Sequence, residues 1–213
     1  MHIQSYFITG TDTDVGKTYI ASSLVRHFVQ LGADVLGMKP VAAGCELVQG
    51  RLLNEDVKQL QLASNIEAPL ALINPYAFQP AIAPHIAAKQ AGVTISLEAI
   101  NKAFHQLKQL AGVVIVEGAG GFCVPLNDSE TTADLVVQLN LPVILVVGMR
   151  LGCINHALLT VGAIEARGLK LAGWIANQVI AEMTAYQENF DTLKQMINAP
   201  CLAEVKWNES VQF

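Results

Sequence analysis

The chain has 213 residues, of which 52% are hydrophobic and 15% charged, and its formal net charge at pH 7 is −5. It contains no run of lysine or arginine, which argues against nucleic acid as a partner because such proteins carry a basic stripe. The longest strongly apolar run, Leu141–Met149, is shorter than the roughly 20 residues that cross a bilayer. With no leader-like N-terminus and four dispersed cysteines, the chain is predicted to be cytoplasmic, with reduced thiols and no membrane partner.

Segments rich in valine, isoleucine and leucine alternate along the chain with amphipathic segments. The predicted strands are Ser5–Thr9, Val35–Lys39, Val113–Glu117, Val143–Val147, Leu171–Ala176 and Leu202–Val205. The predicted helices are Thr18–Leu31, Asp56–Ala63, Leu97–Leu110, Ala133–Leu139, Asn155–Ala166 and about Met183–Ile197. The proline-bearing stretch Ile66–Pro84 predicts a long, irregular surface excursion. This alternation predicts one α/β domain over residues 1–213, a doubly wound, mostly parallel sheet with helices on both faces.

Residues 10–18, Gly-Thr-Asp-Thr-Asp-Val-Gly-Lys-Thr, stand between the first predicted strand and the first predicted helix. Small residues there let backbone N–H groups converge on an anion at the positive end of a helix. Lys17 supplies a charge for the β- and γ-phosphates, and the Thr18 hydroxyl is a ligand for Mg²⁺. Five residues separate the two glycines, where the usual motif has four. The strand and helix context nevertheless predicts a phosphate-binding loop.

Three charged residues near the ends of predicted elements are candidates for chemistry beside this loop. Glu117 ends a buried strand, and an acid at that place commonly reaches a bound Mg²⁺. Lys39 ends the second strand, where its charge could stabilise an anion during phosphorylation; a lysine that merely extends into solvent is an equal alternative. Asp56 lies in the first turn of a helix behind the N-cap Asn54, a position that the helix dipole favours without any metal. The residues alone leave the role of Asp56 open.

Two later strand ends carry glycine-rich or polar sequence. The segment 148–156 opens a helix whose free N–H groups suit a carboxylate or a phosphate. Asn177 and Gln178 end another strand, and their side-chain amides match the donor and acceptor of adenine. The Asn-Gln-Val-Ile run at this point differs from the Asn-Lys-x-Asp of guanine-specific proteins and therefore favours ATP over GTP.

Taken together, these motifs resemble those of the dethiobiotin synthetases over essentially the whole chain. The matching segments are residues 9–18, Lys-Pro-Val-Ala-Ala-Gly at 39–44, Asn-Pro-Tyr-Ala-Phe at 74–78, Ala-Pro-His at 83–85, Val-Glu-Gly-Ala-Gly-Gly at 116–121, Leu-Gly-Cys-Ile-Asn-His-Ala at 151–157 and Gly-Trp-Ile-Ala-Asn at 173–177. The resemblance implies an ATP-dependent cyclo-ligase that makes a cyclic urea from 7,8-diaminononanoate, CO₂ and ATP. In that reaction a carbamate formed on one amine attacks the γ-phosphate, and the second amine then closes the ring.

The same resemblance implies a role for each matching residue. The expected catalytic residues are Lys17, Lys39 and Thr13, and the expected Mg²⁺ ligands are Thr18, Asp56 and Glu117. The expected nucleotide contacts are Asp14, Val15, Gly16, Lys17, Thr18, Tyr19, Asp56, Glu117, Gly118, Ala119, Gly120, Asn177, Gln178, Lys206 and Trp207. The expected substrate contacts are Thr13, Lys39, Ala43, Cys153, Ile154 and Asn155, of which the last three are expected to act in the neighbouring active site of a homodimer.

The chain departs from the family pattern at Ala43, where a hydroxyl is frequent, and at Gln178 and Lys206, where aspartate and proline are frequent. One hydrogen bond lost at Ala43 predicts substrate bound more weakly by about 0.5–1.5 kcal/mol. Two alternative functions remain: an ATPase switch of the partitioning or metallocentre-assembly type, and a paralogue with decayed activity. Many such switches carry an extra lysine early in the loop, where this chain has Thr11 and Asp12, and the retained phosphate-loop residues argue against decay.

Overall fold

A computed structural model describes every residue from Met1 to Phe213. In chain order its elements are β1 (Tyr6–Gly10), α1 (Lys17–Gln30), β2 (Val35–Met38), β3 (Val41–Ala43), β4 (Glu46–Val48), β5 (Arg51–Leu53), α2 (Glu55–Ala63), α3 (Leu70–Ile73), β6 (Tyr76–Phe78), α4 (Pro84–Gln90), α5 (Leu97–Leu110), β7 (Val113–Gly121), α6 (Thr132–Leu139), β8 (Val143–Met149), α7 (Cys153–Ala166), β9 (Leu171–Gln178), α8 (Tyr186–Met196) and β10 (Cys201–Val205). None of the eight helices is long and apolar enough to span a membrane.

The central sheet has six strands in the order β10-β9-β8-β1-β7-β2, and every neighbouring pair is parallel. Successive residues of each strand face opposite layers because the side-chain period of a strand is two. Thus Tyr6 and Ile8 join the apolar cluster shared with α1, whereas Phe7 and Val114 join the cluster shared with α5 and α6. A third cluster joins β8 and β9 to α7 and α8. This arrangement confirms the prediction of a doubly wound parallel sheet.

The predicted element bounds are correct to within about three residues, with one larger exception at the end of β7. That strand continues through four residues beyond Glu117, as far as Gly121. Gly32 and Gly168, which follow α1 and α7, have the positive φ angles of 86° and 68° expected of left-handed helix ends. Because β7 extends to Gly121, the glycine run after Glu117 belongs to the carboxyl edge of the sheet, where parallel sheets bind ligands, rather than to a separate turn.

The prediction of an irregular excursion over Ile66–Pro84 is wrong in part. The stretch contains the short helix α3 and the strand β6, which pairs in parallel with β3. Ile73 and Phe78 are buried in the main core. Elements of three or four residues show no clear hydrophobic period, so their stability depends on tertiary contacts that sequence patterns do not reveal.

Candidate active site

The loop from Gly10 to Lys17 joins the central strand β1 to α1, as predicted for a phosphate-binding loop. The Lys17 ammonium bends back over the loop and donates a hydrogen bond of 2.7 Å to the Asp12 carbonyl. Gly16 has a φ of 84°, and a Cβ atom at this position would overlap the side-chain amide of Asn177. Glycine is therefore required at residue 16 both for backbone conformation and for space.

Lys39 follows β2 directly and is 5% exposed. Its ammonium lies 2.5 Å from Glu117 Oε1 and 3.0 Å from Asp56 Oδ2, and it also donates to the Gly118 carbonyl at 3.3 Å. A solvent-directed lysine, the alternative left open by the sequence, is excluded by this burial. The structure thus brings residues from β2, α2 and β7 together beside the phosphate loop.

Asn74 fixes the backbone on which Lys39 stands. Its side-chain amide donates 2.7 Å to the Lys39 carbonyl and 3.0 Å to the Tyr76 carbonyl. The backbone N–H of Lys39 donates to the Ile73 carbonyl at 2.9 Å. Sequence reasoning assigned no role to Asn74, although its position in the Asn-Pro-Tyr motif is a signal that could have drawn attention to it.

Burial and the neighbouring charges shift the pKa values of this cluster. Burial, reinforced by the Lys39 ammonium, lowers the pKa of Lys17 to about 8. Burial also disfavours the charged form of Lys39, but the carboxylates of Glu117 and Asp56 outweigh it and raise the Lys39 pKa above its ordinary value. Burial likewise opposes ionisation of Asp56, yet the Lys39 ammonium outweighs it, so the Asp56 pKa is lowered. The two carboxylates therefore favour the charged form of Lys39, which lies between them.

The oxygen atoms of the cluster have the chemistry of a Mg²⁺ site. The Thr18 hydroxyl donates to Glu117 Oε1 at 2.7 Å, while Glu117 Oε2 is buried without a hydrogen-bond partner. The backbone N–H of Asp56 donates to the Asn54 side chain, which caps α2 and fixes the first turn of the helix. Mg²⁺ typically takes one or two carboxylates together with substrate phosphates. The orphaned oxygen and the all-oxygen donor set fit that ion.

A cleft of about 980 Å³ opens over this cluster. Its walls include most of the residues that were predicted to bind phosphate, metal or substrate: Thr13, Asp14, Gly16, Lys17, Thr18, Tyr19, Lys39, Ala43, Asp56, Glu117, Ala119 and Gly120. Sequence reasoning missed the remaining lining residues, Val41, Gln59, Ala81, Ile82, Ala83, Pro84 and Val124. Two motifs gave a signal for some of them: Lys-Pro-Val-Ala-Ala-Gly at 39–44, which contains Val41, and Ala-Pro-His at 83–85.

A second cleft of about 560 Å³ lies on the other side of the phosphate loop and shares Asp14, Gly16 and Tyr19 with the first. We call it the base cleft; its remaining lining residues are Asn177, Gln178, Val179, Val205, Lys206, Trp207, Asn208, Glu209 and Ser210. The four predicted adenine-side residues are therefore brought together.

The side chains of Asn177, Gln178 and Lys206 in the base cleft are already engaged with the protein. The Asn177 amide donates to the Val15 carbonyl at 2.9 Å, and the Gln178 amide donates to two carbonyls of its own loop. The Lys206 ammonium pairs with Glu204 and lies 3.6 Å from the centre of the Tyr186 ring. These contacts turn the Lys206 side chain towards α8.

Five predicted site residues line neither cleft. The Val15 side chain, within the phosphate loop, is buried, and Gly118 lies within β7 against the Phe7 ring. Cys153, Ile154 and Asn155 begin α7, outside both clefts of their own chain. Burial raises the pKa of the Cys153 thiol, which disfavours the thiolate form.

The parallel sheet, the strand–loop–helix unit and the buried lysines define a nucleotide-binding protein of the phosphate-loop type. A family model described as "AAA domain" matches residues 4–213. A ParA family ATPase from Chlorobium tepidum aligns with a TM-score of 0.58 at 14% identity, covering 97% of this chain and 86% of that one. MinD from Aquifex aeolicus gives 0.56 at 17% identity, covering 95% and 81%. These two likenesses show the fold alone.

Comparison with curated relatives identifies the family to which the chain belongs within this class of nucleotide-binding proteins. The ATP-dependent dethiobiotin synthetase of Aromatoleum aromaticum is 54% identical over 95% of this chain and 90% of that protein. The enzyme of the same name from Nitrosospira multiformis is 52% identical, covering 97% and 90%. The chain belongs to the ATP-dependent dethiobiotin synthetase family, and the alternative of an ATPase switch is not favoured.

Proposed function

We propose that the chain uses ATP to convert 7,8-diaminononanoate and CO₂ into the cyclic urea of dethiobiotin. One amine of the substrate adds to CO₂ and loses a proton, giving a carbamate, which attacks the γ-phosphorus and displaces ADP. The second amine then attacks the carbonyl carbon of the carbamic–phosphoric anhydride, and phosphate leaves as the ring closes. The observation that carries this proposal is the buried Lys39 cation beside the phosphate loop, in a cleft large enough for both substrates.

Lys39 and Lys17 supply positive charge at the two places where the reaction develops negative charge. Lys39 stabilises the carbamate and the phosphoryl group during transfer, and Lys17 holds the phosphates. Thr13 lines the same cleft and helps to hold the diamine. No side-chain nucleophile is needed, because the carbamate itself attacks the phosphorus; catalysis then depends on positioning and electrostatic stabilisation.

Thr18, Asp56 and Glu117 would hold Mg²⁺, consistent with the oxygen donors and the orphaned Glu117 Oε2 described above. When bound, the ion neutralises charge on the β- and γ-phosphates. Because all these groups are presented by one sheet and its helices, we also propose that residues 1–213 act as a single ATP-binding domain.

We further propose a homodimer in which α7 contacts the partner. Leu151 and Leu159, four residues to either side of Asn155, are 95% and 66% exposed. Strongly exposed leucines on both sides of the Cys153–Asn155 turn would be covered in a protein contact. It would place the Cys153–Asn155 turn where it can bind the substrate carboxylate in the neighbouring site. Sedimentation equilibrium tests this: Leu159→Glu should give monomers, and a parent protein that is itself monomeric would contradict the dimer.

The reaction is tested by phosphate release with ATP, Mg²⁺ and bicarbonate, with and without 7,8-diaminononanoate. Release should require the diamine and fall by at least about 100-fold in Lys39→Ala. Lys58→Ala is the matched control, since Lys58 is an exposed lysine that pairs only with the exposed Glu55. Release that ignores the diamine would point to a switch ATPase, and no release in any sample would point to decayed activity.

A further inference from the structure

Residues 206–213 form a strap that closes one side of the base cleft. The chain leaves the sheet at the end of β10, makes a turn closed by a 3.0 Å hydrogen bond from Glu209 N–H to the Lys206 carbonyl, and then runs along α1. Asn208 adopts a left-handed φ of 61° within this turn. The strap supplies five of the twelve residues that line the base cleft, yet it has no strand pairing of its own.

Two contacts with α1 hold the strap in place. The Tyr19 hydroxyl donates 2.8 Å to the Glu209 carbonyl. The Phe213 ring packs against the His27 ring with centroids 5.3 Å apart, and Phe213 also joins the apolar cluster under α1 together with Val211. Because α1 begins at the phosphate loop, the same helix carries both the phosphate site and the anchors of the opposite wall of the base cleft.

We propose that Phe213 and the Tyr19–Glu209 hydrogen bond are positioning elements that set nucleotide affinity by docking the strap on α1. The inference deepens the proposed function and takes the nucleotide site from it. If the strap is docked on α1 for only a fraction of the time, the apparent affinity for the nucleotide is reduced to that fraction of its value with the strap docked. Nucleotide binding and strap docking are then reciprocally linked, so loss of an anchor weakens binding without changing the groups that carry the chemistry.

Calorimetric titration with ADP measures this directly, because it needs neither the diamine nor turnover. Phe213→Ala should raise the Kd for ADP at least fivefold and Phe213→Tyr should restore it to within twofold of the parent. The KM for ATP should rise in step, with kcat at saturating ATP unchanged. Leu110→Ala, which truncates an exposed apolar residue at the end of α5, is the matched control and should leave the Kd as it is.

Tyr19→Phe keeps the packing and removes only the hydroxyl, so it decides the case if Phe213→Ala fails to fold. The loss of one neutral hydrogen bond should raise the Kd for ADP about two- to tenfold. An unchanged ADP affinity in a folded Phe213→Ala, or in Tyr19→Phe where Phe213→Ala does not fold, overturns the strap proposal. It would leave diamine-dependent phosphate release intact, so this failure is distinct from a failure of the proposed reaction. Conversely, a strap effect on ADP without diamine dependence would refute only the reaction.

Discussion

The two clefts of the proposed nucleotide site are built in different ways: the cleft over Lys17, Lys39 and Glu117, which we call the phosphate end, and the base cleft, which we call the base end. At the phosphate end, Lys17, Lys39 and Glu117 are at most 6% exposed and are bonded to one another or to the loop. At the base end, Gln178 and Lys206 are partly exposed and bonded to their own surroundings, and a strap outside the sheet forms one wall. The phosphate end is therefore fixed by the core of the fold, and the base end by local contacts.

This difference follows from what each end contributes to a reaction. Charge stabilisation is effective only where water is excluded and the charged groups are already in position, which requires strand ends and buried partners. The base of the nucleotide does not change during phosphoryl transfer, so contacts to it contribute binding that is equal in ground state and transition state. Substitutions at the phosphate end should therefore lower kcat, and those at the base end should raise the KM for ATP.

The largest effect is expected from Glu117→Gln. The amide is nearly the same size but cannot neutralise Lys39, so the cluster loses its most buried charge partner. We expect kcat for diamine-dependent phosphate release to fall at least about 100-fold. We also expect the free energy of unfolding to drop by about 3–5 kcal/mol, because one partner of a buried ion pair is removed.

The control for this variant is Glu55→Gln. Glu55 precedes Asp56 in the sequence, and its carboxylate pairs only with the exposed Lys58. It should change neither kcat nor the thermal unfolding curve followed by circular dichroism, because an exposed pair contributes little. If Glu117→Gln kept kcat within threefold of the parent, the chemistry would not depend on the charge of this cluster, and the contrast between the two ends would fail.

An intermediate effect is expected from pH on the Kd for ADP. This effect distinguishes the phosphate end from the base end without any substitution. Lys17, whose pKa is lowered to about 8, must be charged to hold phosphate. Well below pH 8 it is almost fully protonated, so the Kd for ADP should be nearly constant. Above pH 8 binding must take up one proton, so the Kd should rise about tenfold per pH unit. Calorimetry between pH 7 and 9.5 measures this, in a range where the phosphates are already ionised.

Adenosine provides the control, because it reaches only the base end. Its Kd should not change between pH 7 and 9.5, since no phosphate meets Lys17. A parallel rise in the Kd of adenosine would show that the pH effect arises from a change in the protein as a whole. A flat curve for ADP would contradict the assignment of Lys17 to the phosphates.

Much of the phosphate end could be predicted from the sequence, because its signals are local. The loop at 10–18, the buried apolar run that leads to Glu117 and the lysine directly after β2 are each visible as a short pattern. The convergence of Lys39, Asp56 and Glu117 could not be derived from such patterns, since it depends on how α2 packs beside the sheet. For Asp56 the helix dipole alone gave a sufficient explanation, and only the 3.0 Å contact with Lys39 shows its place in the cluster.

The parts that sequence reasoning missed are those whose conformation depends on tertiary contacts. Asn74 is polar and buried, and only its hydrogen bonds to the Lys39 and Tyr76 carbonyls reveal its role. The short elements between Ile66 and Pro84 have no usable period. At the base end, the contact between the Lys206 ammonium and the Tyr186 ring depends on the position of α8. Local patterns thus predicted which residues meet in the two clefts better than the contacts that those residues make.

The smallest effect is expected at the junction of the two ends, from the neighbouring residues Asn177 and Gln178. Asn177 is buried, and its amide supports the Val15 carbonyl within the phosphate loop, so Asn177→Ala should raise the KM for ATP about three- to tenfold. The Gln178 side chain donates only to the carbonyls of Ile180 and Ala181, so Gln178→Ala should keep the KM for ATP within twofold of the parent.

Steady-state kinetics at saturating diamine compares the two variants, with kcat expected to change in neither by more than about threefold. Equal KM values for Asn177→Ala and the parent would mean that the phosphate loop holds its shape without the base end. A large loss of kcat in Asn177→Ala would instead mean that the loop, and with it Lys17, depends on this hydrogen bond for catalysis. The region on which catalysis depends would then extend beyond the phosphate loop as far as β9.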